Sequence, residues 1–359
     1  MTPVRRPTRR IMLAGLAIGA EAPVSVQTMT KTDTRDVAAT VAQIRSVVDL
    51  GCDIVRLAVP DAAAAAALAE IRRQVQVPLV ADIHFDYRLA IAAIEAGVDG
   101  LRINPGNIGG DGHVRAVVAA ARPRKIPIRI GVNAGSLEKG ILERHGSATP
   151  EALVESALHH VALLEAANYR EIKISVKASD VPRTIAAYRL LAAQTRYPLH
   201  LGVTEAGTFL AGTVRSCAAM GVLLQDGLGD TIRVSLTADP CEEVRVGVEL
   251  LRAFALRAPG AAVTSCPTCG RTQVDVAGVA QEIERQLEAH YRGNPAAPRP
   301  HVAVMGCVVN GPGEAREADI ALAGGKDVFL LYVHGQQSAT IPQAEAVARV
   351  VDLVKGWKA

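Results

Sequence analysis

The sequence predicts a (β/α)₈ barrel of the TIM type, followed by a smaller α+β domain. Short apolar strand candidates alternate with longer amphipathic helical patterns through most of the chain. Such alternation requires a parallel sheet. Eight units within roughly 250 residues match the size of a closed barrel. The pattern changes near residues 257–260, so we assign residues 1–258 to a substrate-binding barrel and residues 259–359 to the second domain.

The eight barrel strands are predicted at residues 24–28, 54–59, 79–82, 100–104, 127–133, 171–176, 199–204 and 231–236. Gly51 and Gly97 stand where glycines terminate helices. An alanine run after Asp61 is typical of a capped helix. The alternative is a doubly wound open sheet. It is disfavoured because no glycine-rich dinucleotide fingerprint follows the first strand.

In the second domain we predict strands at 261–264, 301–305 and 328–333, with helices at 274–291 and 341–355. This order of elements is typical of an α+β domain.

The composition excludes several classes of protein. Hydrophobic residues make up 49% and charged residues 21%, which is typical of a large buried core and not of a disordered chain. The net charge of +3 is too small to indicate nucleic-acid or membrane-surface binding. No apolar run is long enough to span a membrane.

The first residues have the superficial features of an export signal. Arg5, Arg6, Arg9 and Arg10 precede an apolar run at 11–20. However, a strand candidate follows without a linker, and Gly15 and Gly19 weaken a signal helix. We therefore predict a short hairpin that closes one end of the fold, and a cytoplasmic protein.

Three cysteines form a candidate metal centre. Cys266 and Cys269 have the two-residue spacing that lets both thiolates bind one metal, and Cys307 lies in a glycine-rich loop. Zinc, an iron–sulfur cluster, a redox dithiol and a disulfide are the alternatives. No fourth cysteine lies nearby, and the adjoining turn supplies only the carboxylate of Glu314, so the pattern favours a cluster over zinc. We interpret Cys52, Cys217 and Cys241 as core residues.

Basic residues recur near the C-terminal ends of the predicted strands, where barrel active sites form. They are Arg56, Arg102, Arg129, Lys177 and Arg233. The alternative is a structural ion network with Asp82, Asp86, Glu205, Asp230 and Asp239. An array of cations around one rim favours a multiply anionic ligand such as a diphosphate. Polar residues recur at the same level, namely Asn104, Asn133, Thr204 and Ser235, and His84 is a candidate acid or ligand.

Several long motifs resemble those of the bacterial 4-hydroxy-3-methylbut-2-enyl diphosphate synthase family. They are VQTMT (26–30), VADIHFD (80–86), LRINPGNIG (101–109), IRIGVNAGSLEK (128–139), VKASD (176–180), GVTEAG (202–207), CPTC (266–269) and GCVVNGPGEA (306–315). The resemblance spans nearly the whole chain. It implies a TIM barrel followed by a small domain of the sulfite-reductase type that holds a 4Fe–4S cluster.

The resemblance also implies roles for individual residues. Cys266, Cys269, Cys307 and Glu314 would bind the cluster. Arg56, Arg102, Arg129, Lys177 and Ser235 would hold a diphosphate, which Asn104 and Asn133 would help to orient. Glu205 would be the acid that assists departure of a hydroxyl, and Asp82 would support it.

The implied reaction is the reductive ring opening and dehydration of 2-C-methyl-D-erythritol 2,4-cyclodiphosphate in isoprenoid biosynthesis. Flavodoxin or ferredoxin would supply the electrons. A head-to-tail homodimer would let the cluster domain of one subunit cap the barrel of its partner.

Overall fold

The computed structural model describes residues 3–103, 108, 110–294, 296–307, 313 and 317–358. The predicted site residues Asn104 and Glu314 lie outside this part of the chain. The chain divides into two compact units, Met1–Arg257 and Ala258–Ala359, which we describe separately.

The first unit opens with a hairpin and continues as a barrel. Its strands are β1 (Ile11–Leu13), β2 (Leu16–Ile18), β3 (Ser25–Met29), β4 (Ile54–Val59), β5 (Leu79–Ile83), β6 (Gly100–Ile103), β7 (Ile128–Asn133), β8 (Ile172–Lys177), β9 (His200–Leu201) and β10 (Thr231–Ile232). Its helices are α1 (Val37–Asp49), α2 (Ala62–Gln74), α3 (Tyr87–Glu95), α4 (Asp111–Ala121), α5 (Lys139–His145), α6 (Pro150–Ala166), α7 (Val181–Gln194), α8 (Phe209–Gln225) and α9 (Pro240–Ala253).

Strands β3 to β10 form the predicted parallel eight-stranded sheet, in the order β8-β7-β6-β5-β4-β3-β10-β9. A parallel bridge between Ile174 and Leu199 joins its two ends, so the sheet closes into a barrel. Local signals account for the ends of the surrounding helices. Asp61 accepts a hydrogen bond from the backbone amide of Ala64 at 2.8 Å, and Gly51 has the positive φ of a helix-terminating glycine.

The predicted lengths of the last two barrel strands are wrong. Regular pairing covers only His200–Leu201 and Thr231–Ile232, not 199–204 and 231–236. After Leu201 the chain turns, because Glu205 and Gly207 have φ values of 51° and 117°. The residues that follow these strands therefore lie in loops at the C-terminal end of the barrel. In a loop, successive side chains need not point alternately to the two faces of the sheet.

The hairpin packs against the base of the barrel. β1 and β2 pair antiparallel, and Leu13 and Ile18 form a buried cluster with Ile54 and Val80 at the beginnings of β4 and β5. A Cβ atom on Gly100 would lie 2.7 Å from a methyl group of Leu13. The absence of a side chain at Gly100 thus makes room for the hairpin, which occupies this end as the sequence predicts.

In the part of the second unit that the structure describes, a five-stranded sheet packs with two helices of described bounds. Its elements are β11 (Val263–Ser265), α10 (Val276–Gly293), β12 (Val302–Met305), β13 (Ile320–Gly324), β14 (Val328–Val333), β15 (Gln336–Pro342) and α11 (Gln343–Lys355). The strands lie in sequence order; β11, β12 and β13 are parallel, and β14 and β15 are antiparallel. Buried residues of both helices, among them Ile283 and Val350, share a core with Val302, Leu322 and Phe329 of the sheet.

Two strands of this sheet, β13 and β15, have no strand pattern in the sequence. β13 reads Ile-Ala-Leu-Ala-Gly and is fully buried, and alanine and glycine give a weak strand signal. β15 begins with exposed polar residues at the edge of the sheet. Its pairing with β14, and not its composition, makes it a strand.

Among the described residues, no helix combines the length and apolar character needed to cross a membrane.

The packing of the hairpin predicts that Ile18→Ala destabilises the barrel. Ile18 is completely buried, so its truncation should lower the free energy of unfolding by about 2–5 kcal/mol. Urea denaturation followed by circular dichroism measures the change. Met12→Ala in the same hairpin is the matched control, because Met12 is 43% exposed. Equal stability of the two variants would contradict a packed hairpin.

Candidate active site

The predicted cations meet at the C-terminal mouth of the barrel. Arg56, Arg102, Arg129 and Lys177 lie on β4, β6, β7 and β8, and all four are buried. Asp82 on β5 lies directly beside Arg102, which lies beside Arg129. Because alternate strand residues face the same side, these positions share the barrel interior while their neighbours pack under the helices.

Asp82 holds two of these cations in place. Its carboxylate accepts a hydrogen bond from Nη1 of Arg102 at 3.0 Å and lies 3.6 Å from Nε of Arg56. Nε2 of His84 lies 3.5 Å from the same carboxylate. Burial alone would raise the pKa of Asp82, but Arg56, His84 and Arg102 together hold it well below its usual range. Asp82 is therefore ionised at neutral pH and anchors cations; it has no proton to donate.

Arg129 and Lys177 have no such anchor. Nη1 of Arg129 donates to Oγ of Ser175 at 2.7 Å, whereas its Nε and Nη2 have no hydrogen-bond partner among the described residues. Neither Arg129 nor Lys177 forms an ion pair with a carboxylate among the residues that the structure describes. Burial, reinforced by neighbouring arginines, lowers the pKa of both groups. Buried charges without counter-ions are costly, and an anionic ligand would relieve that cost.

Two glycines leave space for basic side chains of neighbouring strands. A Cβ atom on Gly131 would lie 2.6 Å from Nε of Arg102, and one on Gly202 would lie 2.7 Å from Nζ of Lys177. Each glycine therefore gives a basic side chain the space to cross a neighbouring strand.

Loops of the same mouth carry three more predicted residues, Arg233, Ser235 and Glu205. Nη1 of Arg233 donates to Oγ of Ser235 at 3.1 Å. Asn133 ends β7 directly beside Lys177 and is half-buried. Glu205 is exposed and has a left-handed φ of 51°, which is uncommon for glutamate and concentrates at functional sites.

The alternative of a structural ion network is wrong for most of its members. In the described part of the chain, Asp82 is the only one of the five predicted carboxylates that pairs with the rim cations. Asp86 pairs with Arg88, and Asp230 pairs with Arg5. Asp239 caps α9. The positive charge at the rim is thus largely uncompensated by the carboxylates that sequence analysis considered.

A second polar layer, which the sequence pattern did not predict, lies within the barrel. Lys173 and His200 are buried, as is Gln27, whose amide atoms have no hydrogen-bond partner in the described chain. Nδ1 of His200 lies 2.7 Å from Oγ1 of Thr231. Burial lowers the pKa of Lys173 to about 7 and holds that of His200 well below its usual range. The available signal was the alternation Lys173-Ile-Ser175-Val-Lys177, which places polar residues on the interior face of β8.

The cysteines of the second unit lie at the ends of two neighbouring parallel strands. The amide of Cys266 donates to the carbonyl of Val304 at 2.9 Å, and Cys307 follows β12 by two residues. The loop after Cys266 packs onto Gly306, where an added Cβ atom would lie 2.8 Å from Oγ1 of Thr272. None of the described cysteines forms a disulfide, so the disulfide alternative is wrong.

The donor chemistry of these loops fits an iron–sulfur cluster. Three thiols come from adjoining loops, and the left-handed φ of Thr268 directs its amide toward Sγ of Cys266 at 3.4 Å. Amide donors of this kind stabilise cluster sulfurs. Within the described residues, no three histidine, cysteine or acidic side chains converge as a metal-binding group. The predicted fourth ligand, Glu314, lies outside those residues.

The space at Gly131 predicts that Gly131→Ala weakens anion binding. The three atoms nearest to the new methyl group would all belong to the guanidinium of Arg102, so the substitution should displace that group. We expect the dissociation constant for inorganic pyrophosphate to rise about tenfold, equivalent to about 1.4 kcal/mol. Isothermal titration calorimetry measures it. Gly140→Ala is the control, since a Cβ atom there has only one neighbour, at 3.7 Å. Equal affinities of both variants would exclude Arg102 from the anion site.

Comparisons with known proteins agree with the two-unit architecture. The barrel resembles that of a dihydropteroate synthase from Stenotrophomonas maltophilia, with a TM-score of 0.50 and 16% identity over 70% of this chain and 97% of that one. This likeness concerns the fold alone.

Curated relatives match nearly the whole chain. Proteins named 4-hydroxy-3-methylbut-2-en-1-yl diphosphate synthase (flavodoxin) are 56% identical in Geobacter sulfurreducens, over 95% of both chains, and 53% identical in Ruminiclostridium cellulolyticum, over 97% of both. The model of the GcpE TIM-barrel domain matches residues 8–248, and that of the GcpE protein C-terminal domain matches residues 262–356. The chain belongs to the GcpE family.

Proposed function

We propose that this chain catalyses the reductive ring opening of 2-C-methyl-D-erythritol 2,4-cyclodiphosphate to 4-hydroxy-3-methylbut-2-en-1-yl diphosphate. The observation that carries the proposal is the pair of buried cations, Arg129 and Lys177, that lack counter-ions among the described residues. The family relatives carry the name of this synthase. The reaction takes up two electrons, breaks a ring bond between carbon and a phosphate oxygen, and releases one hydroxyl as water.

The barrel mouth would bind the substrate through its phosphates. The positive charges of Arg129 and Lys177, which have no counter-ion among the described residues, would bind the phosphates. Asp82 orients the side chains of Arg56 and Arg102. Ser235 and Asn133, and Asn104 outside the described chain, would add neutral hydrogen bonds. Phosphates held from several strands fix the carbon skeleton in one orientation, and such positioning supplies a large part of catalysis.

Glu205 is the residue that we propose as the acid. Glu205 lies in the loop that follows β9, and its side chain is exposed. It forms no ion pair in the described part of the chain. A proton from Glu205 would let the departing hydroxyl leave as water.

We propose that Cys266, Cys269, Cys307 and Glu314 hold a 4Fe–4S cluster. When bound, such a cluster supplies electrons to the reaction. Thiolates select iron over harder cations, and the carboxylate of Glu314 would be the more exchangeable ligand. The amide of Thr268 would hold Cys266 in a ligating orientation.

The names of the relatives support flavodoxin as the electron donor, and ferredoxin remains the alternative. We also propose a cytoplasmic location, because free thiols persist in reducing compartments. Finally, we propose a head-to-tail homodimer in which the cluster unit of one subunit serves the barrel of its partner.

The function is tested with anaerobically purified protein, reduced flavodoxin and the cyclodiphosphate. We expect about four iron and four sulfide per wild-type chain. Cys307→Ala should lose most of both while binding pyrophosphate normally. Glu205→Gln should retain both and lose about 10²–10⁴-fold in turnover. Metal analysis and mass spectrometry of the product measure these quantities.

Two control variants accompany this test. Cys217→Ala removes a cysteine of α8 in the barrel unit, and Glu242→Gln neutralises a surface glutamate that pairs with Arg245. Both should match the wild type. Stoichiometric zinc without sulfide, or a cluster-loaded protein that leaves the cyclodiphosphate intact, would reject the proposed reaction.

The proposed dimer predicts complementation between two inactive variants. In a mixed dimer of Glu205→Gln and Cys307→Ala chains, one barrel with Glu205 would face one cluster. A mixed dimer purified through both tags should therefore have about half of the wild-type activity. Activity of separately tagged, co-expressed chains measures this after purification through both tags. Mixed dimers without activity would mean that each chain works alone.

A further inference from the structure

A buried glutamate lies behind the anion site, on a helix that no motif of the sequence analysis includes. Glu243 belongs to the first turn of α9, and its side chain is fully buried. Buried carboxylates are rare unless they are paired and hydrogen-bonded. The partners of Glu243 therefore indicate why a charge occupies this position.

All the described partners of Glu243 are hydrogen-bond donors. Oγ1 of Thr28 donates at 2.8 Å and the amide of Leu236 at 3.0 Å. Nη2 of Arg233 lies 3.2 and 3.1 Å from the two carboxylate oxygens. Nζ of Lys31 lies 3.3 Å away. The carboxylate thus joins the end of β3 to the loop that follows β10.

This arrangement determines the direction of Arg233. One of its terminal nitrogens is held by Glu243, and the other donates to Oγ of Ser235 at 3.1 Å. Its Nε is buried without a hydrogen-bond partner in the described chain. Lys31 closes the same loop from the other side, because its ammonium group also donates to the carbonyls of Leu236 and Ala238. Glu243 and Lys31 together hold the loop that carries Ser235.

We infer that Glu243 is a positioning residue of the active site, which directs Arg233 and the loop bearing Ser235 toward the diphosphate of the substrate. The inference rests on the proposed function for the identity of the substrate. Its physical content, coupling between Glu243 and anion binding through Arg233, is independent of the reaction.

Glu243→Gln is the sharpest variant. Glutamine has nearly the same size, but its amide group would face the donors of Thr28, Lys31 or Arg233 in place of an acceptor. We expect the dissociation constant for inorganic pyrophosphate to rise tenfold or more. With the cyclodiphosphate, KM should rise more than kcat falls, because Glu243 acts on binding and does not touch the reacting atoms.

A double-mutant cycle distinguishes positioning from general destabilisation. If Glu243 acts through Arg233, Glu243→Gln should have little further effect on pyrophosphate affinity in the Arg233→Gln background. Multiplicative effects of the two changes would overturn the inference. So would unchanged pyrophosphate affinity in Glu243→Gln accompanied only by a lower melting temperature.

Conservative and matched variants complete the experiment. Glu243→Asp keeps the charge while withdrawing it by one methylene group, so it provides a folded variant with a smaller loss of affinity if Glu243→Gln does not fold. Wild-type affinity in Glu243→Asp together with misfolded Glu243→Gln would assign Glu243 a purely structural role. Glu242→Gln, one residue earlier on the same helix, should bind pyrophosphate as the wild type does. If Glu243 and Arg233 are coupled in pyrophosphate affinity but the cyclodiphosphate is not turned over, the proposed reaction is rejected and the inference about Glu243 stands.

Discussion

The structure of the barrel unit depends on how it accommodates positive charge that is buried at its mouth. Arg56 and Arg102 share Asp82, and Arg233 is held by Glu243. Arg129 and Lys177 have neither arrangement among the described residues. A buried cation without a counter-ion is unfavourable, and proteins retain such groups where a ligand supplies the missing charge. The proposed affinity for a diphosphate would thus be the counterpart of an electrostatic cost in the free protein.

The fold keeps this cost at one end. At the base, Leu13 and Ile18 of the hairpin pack on Ile54 and Val80 and exclude water. Two residues further along β4, the interior position is Arg56. Because side chains alternate along a strand, Ile54 and Arg56 both point into the barrel. The interior is therefore apolar at the level of Ile54 and cationic at the level of Arg56. An apolar base supports a charged mouth because its stability does not depend on the ligand.

The second unit uses parallel strands in the same way. β11 and β12 run side by side, so the residues after both emerge at one edge of the sheet, and Cys266 and Cys307 follow those strands. The glycine at position 306 then lets the loop of Cys266 and Cys269 approach. In both units, the predicted site residues lie near the ends of neighbouring parallel strands, which is the general position of sites in α/β folds.

The sequence by itself determined those features that depend on local chemistry or on regular alternation. These include the barrel class, the glycine that ends α1, the cap at Asp61 and the array of rim cations, since each signal lies within a few residues of its effect. The family motifs also predicted roles for the cysteines and for Glu205, and these roles stay predictions. Only the tertiary structure decided which groups each carboxylate meets: Glu243 meets Thr28 across 215 positions of the chain, and no local pattern encodes such a contact. The short β9 and β10, the edge strand β15 and the space beside Gly131 were likewise settled by neighbours distant in sequence, because pairing and close approach are properties of two segments and not of one.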